Sequence, residues 1–137
     1  MTYLLDTNVL SETRKREPDA GVTEWIAATP AERLYLSVLT LGEIEQGIAR
    51  VRGQADREQA AALERWVRDV KQGFADRVLP VTLLVASAWG RQQHAHPLPV
   101  IDGLLAATAQ AYGMTLVTRN VKDFKRSGAW VLNPFAA

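Results

Sequence analysis

Four acidic residues stand where a cation could bring them together. Asp6 closes the apolar run Tyr3-Leu4-Leu5, and Glu43 follows Leu34-Tyr-Leu-Ser-Val38 by a few residues. Asp102 comes just after Pro99, and Asp123 lies beyond Met114-Thr-Leu-Val117. Carboxylates meeting in one cleft repel each other and resist ionisation unless a cation compensates them. Hard oxygen donors, with no cysteine and no paired histidine ligands, favour Mg²⁺ or Mn²⁺ over zinc. Such an ion could generate a hydroxide and stabilise negative charge on a phosphate during in-line attack, with one ion or two. Asn8 and Thr118 could orient the ligands or a water from behind. Arg119, Lys122, Lys125 and Arg126 surround the exit of the Met114–Val117 run, where they could hold phosphates or simply form a solvated surface.

Each acid also has an ordinary structural reading. Thr40-Leu-Gly-Glu43 has the spacing of a capping box, with Glu43 at its third helical position. Asn120-Val-Lys-Asp123 has similar cap-like spacing. Asp102 could favour a helix N-terminus electrostatically, and Asp6 could cap the first helix. These readings are strong one at a time and weaker together, because capping does not explain why four elements deliver a carboxylate to one rim. Arg14-Lys-Arg16 either complements the end of a helix or touches RNA.

That shared rim depends on the elements that carry the acids. Tyr3–Leu5 predicts a buried strand, with a helix from Asp6-Thr7-Asn8 to about Arg14. A helix over Asp19–Ala28 follows, with Val22, Trp25 and Ile26 at helical spacing and Pro30 closing it. Leu34–Val38 is a second strand, and Thr40 opens a helix carrying Leu41, Ile44 and Ile48. Beyond Gly53, a longer helix places Leu63, Trp66, Val67, Val70 and Phe74 on one face, with a Glu64–Arg68 pair on the other. The stripe containing Trp66 reads as core or dimer interface rather than as a base-stacking platform. Val78–Val81, interrupted by Pro80, fits an edge strand. Helices over about Leu83–His94 and Val100–Tyr112, a strand at Met114–Val117 and a fifth at Val131-Leu132 complete the pattern. Alternating strands and helices predict a parallel sheet covered on both faces, with ligands at the carboxyl ends of the strands.

Composition narrows the class. The chain has 137 residues, 47% apolar and 23% charged, which fits one soluble α/β domain over 1–137. It has no cysteine, which excludes disulfides, thiolate zinc sites and cysteine nucleophiles and suits a reducing cytoplasm. Sixteen basic residues nearly balance fifteen acidic ones, so nucleic-acid binding would require acids in a cleft with cations around it. No signal-peptide pattern or membrane-spanning run is visible.

In order along the chain, Tyr3-Leu-Leu-Asp-Thr-Asn-Val-Leu-Ser-Glu12, Ser37-Val-Leu-Thr-Leu-Gly-Glu-Ile-Glu-Gln-Gly47, Val100-Ile-Asp-Gly-Leu-Leu-Ala-Ala-Thr-Ala109, Leu116-Val-Thr-Arg-Asn-Val-Lys-Asp-Phe124 and Val131-Leu-Asn-Pro-Phe135 resemble a PIN domain, specifically the toxin ribonucleases of the VapC type and their FitB-like relatives. Residues 53–96 are the least distinctive part. The resemblance implies a three-layer α/β/α fold with a short central parallel sheet of four to five strands. It also implies Mg²⁺- or Mn²⁺-dependent endoribonuclease activity and a cognate antitoxin of a type II toxin–antitoxin system, with an antitoxin segment occupying the acidic cleft. A homodimer that assembles further with the antitoxin is expected, with DNA contacted only through that partner. Asp6, Glu43 and Asp102 carry over as the acidic core, Asp6 and Asp102 as direct metal ligands. Family members often have an acid where Asn120 aligns, so the fourth position is either Asp123 or Asn120. Arg14, Arg119 and Lys122 are the candidate RNA contacts.

Other readings fit less well. An aspartyl-nucleophile phosphatase needs a second Asp where Asn8 stands, and no phosphate-receiver, dinucleotide or P-loop pattern occurs. His94 and His96 read as surface or packing residues beside prolines. An RNA-processing nuclease without an antitoxin, and a non-catalytic PIN-like binding module, are the remaining alternatives.

Overall fold

A computed structural model describes residues 1–92 and 97–136. Five strands form one sheet: β1 Tyr3–Leu5, β2 Leu34–Ser37, β3 Val78–Leu79, β4 Thr115–Val117 and β5 Trp130–Leu132. Their order is β3-β2-β1-β4-β5 and every pairing is parallel. Helices α1 Thr7–Glu12, α2 Ala20–Ala28, α3 Val38–Gly53, α4 Arg57–Gly73, α5 Leu83–Gly90, α6 Val100–Ala111 and α7 Val121–Lys125 cover both faces.

The alternation of the strands explains the layers. Successive side chains of a strand point to opposite faces, and both faces here are covered, so the strands read as continuous apolar runs. Leu5, Leu36 and Val117 pack with Val22, Ile44, Ile48, Val67 and Val70 in one core. Leu4 and Leu116 pack with Leu105, Ala106, Ala109 and Phe124 in the other. This is the expected three-layer α/β/α arrangement, and β3 is an edge strand, as Pro80 predicts.

Local chemistry sets the boundaries. The β2 strand stops at Ser37 because the Ser37 hydroxyl accepts from the Leu39 amide at 3.0 Å and caps α3. Helix α3 therefore begins before Thr40, which corrects the capping-box expectation for Thr40 and Glu43. Thr40 lies inside the helix, fully buried, and Glu43 is in its second turn. Asp19, Asp56 and Thr82 cap α2, α4 and α5. Helix α5 ends at Gly90, short of the expected His94; His94 and His96 lie outside the described residues. Glu64 pairs with Arg52 on α3. The C-terminal segment is held down by Phe135, buried in the first core, and by the Ala136 amide, which donates to Asp19 at 3.0 Å.

Candidate active site

From β1 the chain first builds the sheet in one direction, through β2 to β3, and then returns to add β4 and β5 on the other side. The switch therefore lies between β1 and β4, and a crevice opens outside their carboxyl ends. Asp6 ends β1 and Thr118 ends β4, so both stand at that crevice.

Asp6 is the best-organised acid of the group. It is buried, and it caps α1 by accepting from the Thr7 amide at 2.7 Å through Oδ1. Its Oδ2 accepts from the Thr118 hydroxyl at 2.8 Å and from Asn8 Nδ2 at 3.1 Å. Thr118 Oγ1 in turn accepts from the Asn120 amide at 3.0 Å, and Asn8 Oδ1 accepts from the Arg119 amide at 3.2 Å. The exits of β1 and β4 are thus stitched together behind one carboxylate. Burial pushes the Asp6 carboxyl above its ordinary value, and the Thr118, Thr7 and Asn8 donors offset part of that.

Glu43 reaches the same region from α3. With its capping role removed, its Oε1 accepts from Thr7 Oγ1 at 2.8 Å. Asp102 arrives from the first turn of α6 and is half-buried. Helix α6 packs tightly on α5 beside it: a Cβ on Gly103 would meet Gln92 Oε1 at 2.9 Å and Trp89 Nε1 at 3.0 Å. Burial, then the charges of Asp6, Glu43 and Asp123, raise the Asp102 pKa. Asp102 therefore feels the other three acids across the crevice.

The fourth position divides between its two candidates. Asp123 is in the first turn of α7, contributes to the field on Asp102, and accepts from Arg126 at 3.4 Å. Asn120 is the N-cap residue of α7, but its side chain makes no capping bond. The cap-like spacing of Asn120 and Asp123 thus reflects a short helix rather than a capping box. Sequence periodicity missed α7, because five residues carry too little pattern.

The candidate cations go to different places. Arg119 is exposed, and its guanidinium stacks on the Phe135 ring at 4.2 Å and acts on Asp19. Arg14 lies 6.0 Å from the centroid of Trp66, and Lys122 is exposed on α7. Thr7 was not singled out as a site residue in the sequence; its polar contact with Glu43 spans 36 positions, so no local signal announces it.

The donor set is all oxygen, which suits a hard divalent cation. Among the described residues, no three acidic or histidine side chains close on a common point as placed. The mutual repulsion at Asp102 is the charge imbalance that a divalent cation would neutralise.

Comparison with known proteins identifies the family and the fold. The PIN domain family matches residues 3–128. The VapC ribonuclease Y4jK of Sinorhizobium fredii is 34% identical, over 96% of each chain. The toxin FitB of Neisseria gonorrhoeae is 31% identical over 96% of this chain and 97% of its own. The crystal structure of FitAcB from the same organism superposes with a TM-score of 0.89 at 30% identity, covering 99% of this chain and all of that one.

Proposed function

The chain belongs to the PIN domain family, and from that premise we propose that it is a Mg²⁺- or Mn²⁺-dependent endoribonuclease acting as the toxin of a toxin–antitoxin pair. The observation that carries the reading is that the charges of Asp6, Glu43 and Asp123 all act on Asp102 beside the crevice between β1 and β4. The names of the relatives, a VapC ribonuclease and a toxin, support the choice of RNA and of the toxin role.

Asp6 and Asp102 would hold the ion, with Glu43 as a third ligand and Asp123 the better-placed fourth candidate. A bound ion supplies Lewis acidity toward a phosphate oxygen and lowers the pKa of a water. Hydrolysis joins the water oxygen to phosphorus and breaks the bond to the leaving ribose oxygen. One proton leaves the water, and one reaches the leaving oxygen. The chain's own residues prepare this. Thr118, Asn8 and the Thr7 amide fix both oxygens of Asp6, so its orientation needs no rearrangement. Thr7 fixes one oxygen of Glu43. Lys122 and Arg14 would attract the strand electrostatically.

Homodimer formation is part of the proposal. Leu83, Leu84, Trp89, Val100 and Ile101 are exposed on the adjacent helices α5 and α6, and Leu83 is 84% exposed. Apolar side chains exposed on two helices that pack together suit a second copy. No helix among the described residues is long and apolar enough to cross a membrane, and the absence of cysteine suits work in the cytoplasm. The cognate antitoxin is expected from a short open reading frame beside this one, encoding a DNA-binding partner. The test is direct: purified protein with RNA and Mg²⁺ or Mn²⁺ should give discrete fragments, EDTA should stop the reaction, and the co-expressed antitoxin should suppress it. Intact RNA under every metal condition would reject the reading.

A further inference from the structure

A second cavity, of about 440 Å³, adjoins the acidic site between α1, α3 and α4, and shares Thr7 and Glu43 with it. Its wall carries Arg14, Arg50, Gln59 and Trp66. From these groups we propose that the cavity is a nucleobase subsite, which receives the base of a nucleotide adjoining the scissile phosphate. The inference rests on the ribonuclease reading above and adds to it where sequence preference is set.

The chemistry of the lining favours a base. Trp66 is half-buried: it packs partly against the core and also lines the cavity. An aromatic face stacks any base, and the Arg14 guanidinium beside that ring adds a planar cation that stacks as well. Gln59 is exposed in the first turn of α4, and its amide offers both a donor and an acceptor to a base edge. Neither Arg14 nor Arg50 takes part in an ion pair found among the described residues, so both charges are available to flanking phosphates. The volume falls within the range of small-ligand pockets. Because Thr7 and Glu43 belong to both sites, one strand could place a phosphate at the acids and its neighbouring base against Trp66. Trp66, which the apolar stripe assigns to core or dimer interface, thus gains a second role where it lines the cavity.

The test separates this subsite from the nuclease reading. The Asp6→Asn protein in EDTA, which cannot cut, is titrated with each of the four nucleoside 5′-monophosphates while the Trp66 indole and Gln59 amide signals are followed by NMR. At least one nucleotide should move both signals. Trp66→Phe should weaken the binding several-fold, and Gln59→Ala should erode the preference among bases. In a wild-type background, Gln59→Ala should raise KM for the preferred RNA about tenfold and leave kcat nearly unchanged. If wild type cuts RNA while no nucleotide moves the Trp66 signal and Gln59→Ala cuts every sequence as before, the subsite is rejected and the nuclease reading stands. A groove protected only by an antitoxin peptide would reject it equally. Nucleotide binding at Trp66 by a protein that cuts nothing would retain the subsite and reject the nuclease.

Discussion

The hydroxyl of Thr7 donates to Glu43 Oε1 at 2.8 Å and ties the start of α1 to the second turn of α3. One side chain therefore sits between two acids: its amide holds Asp6 and its hydroxyl holds Glu43. Thr7→Val keeps the shape and the amide and removes only the hydroxyl. Turnover should fall about 10- to 100-fold, the range for loss of a group that orients a metal ligand. Thr7→Ser should recover most of it, and both variants should melt close to wild type. Unchanged turnover in Thr7→Val would show that Glu43 needs no such support.

The two candidates for the fourth position make opposite predictions. Asp123 acts on Asp102, whereas the Asn120 side chain makes no capping bond. Asp123→Ala should therefore lower cleavage by about tenfold or more, and Asn120→Ala by much less. Thermal melts establish that both remain folded. The reverse order would move the fourth ligand to Asn120.

Asp6 and Asp102 were legible because each sits beside a recognisable boundary, the end of an apolar strand and a proline-led helix start. Their partners were less so. Ser37 falls inside the run Leu34–Val38, so the strand pattern concealed a helix cap, and the false start at Thr40 gave Glu43 a capping role it does not have. The stacking of Arg119 on Phe135 and the bond from Thr7 to Glu43 join distant parts of the chain, and periodicity carries no information about them. The parallel sheet covered on both faces, by contrast, follows from strands that alternate with helices along the chain.

Stability in EDTA should depend on pH through Asp102. Its folded pKa is raised above the ordinary carboxylate value. Its favourable contribution is therefore complete at pH values below about 4 and is lost as pH rises through the folded pKa. Relative to Asp102→Asn, the wild type should lose melting temperature as pH rises above about 4. Glu12 and Asp19, whose pKa values are lowered, titrate alike in both proteins and cancel in the comparison. Mn²⁺ at neutral pH should raise the wild-type melting temperature and raise that of Asp102→Asn much less. A gap that narrows with rising pH would contradict the mutual repulsion of the acids.

The C-terminal segment should be as sensitive as the site. A Cβ on Gly21 would meet the Pro134 carbonyl oxygen at 2.4 Å and the Ala136 amide nitrogen at 2.6 Å, both backbone atoms that cannot rotate away. Gly21→Ala should cost about 1–3 kcal/mol in denaturant unfolding, and residual cleavage should track the folded fraction. An unchanged unfolding midpoint would mean that the segment does not pack on α2 as described.

The most direct test of the central claim is single-turnover RNA cleavage by wild type and Asp6→Asn, side by side, across a Mn²⁺ titration beginning in EDTA. Wild type should be silent without metal and gain activity as Mn²⁺ is added, while Asp6→Asn stays folded and inactive throughout. Equal cleavage by the two proteins, or wild-type cleavage that persists in EDTA, would contradict a metal-dependent site built on Asp6.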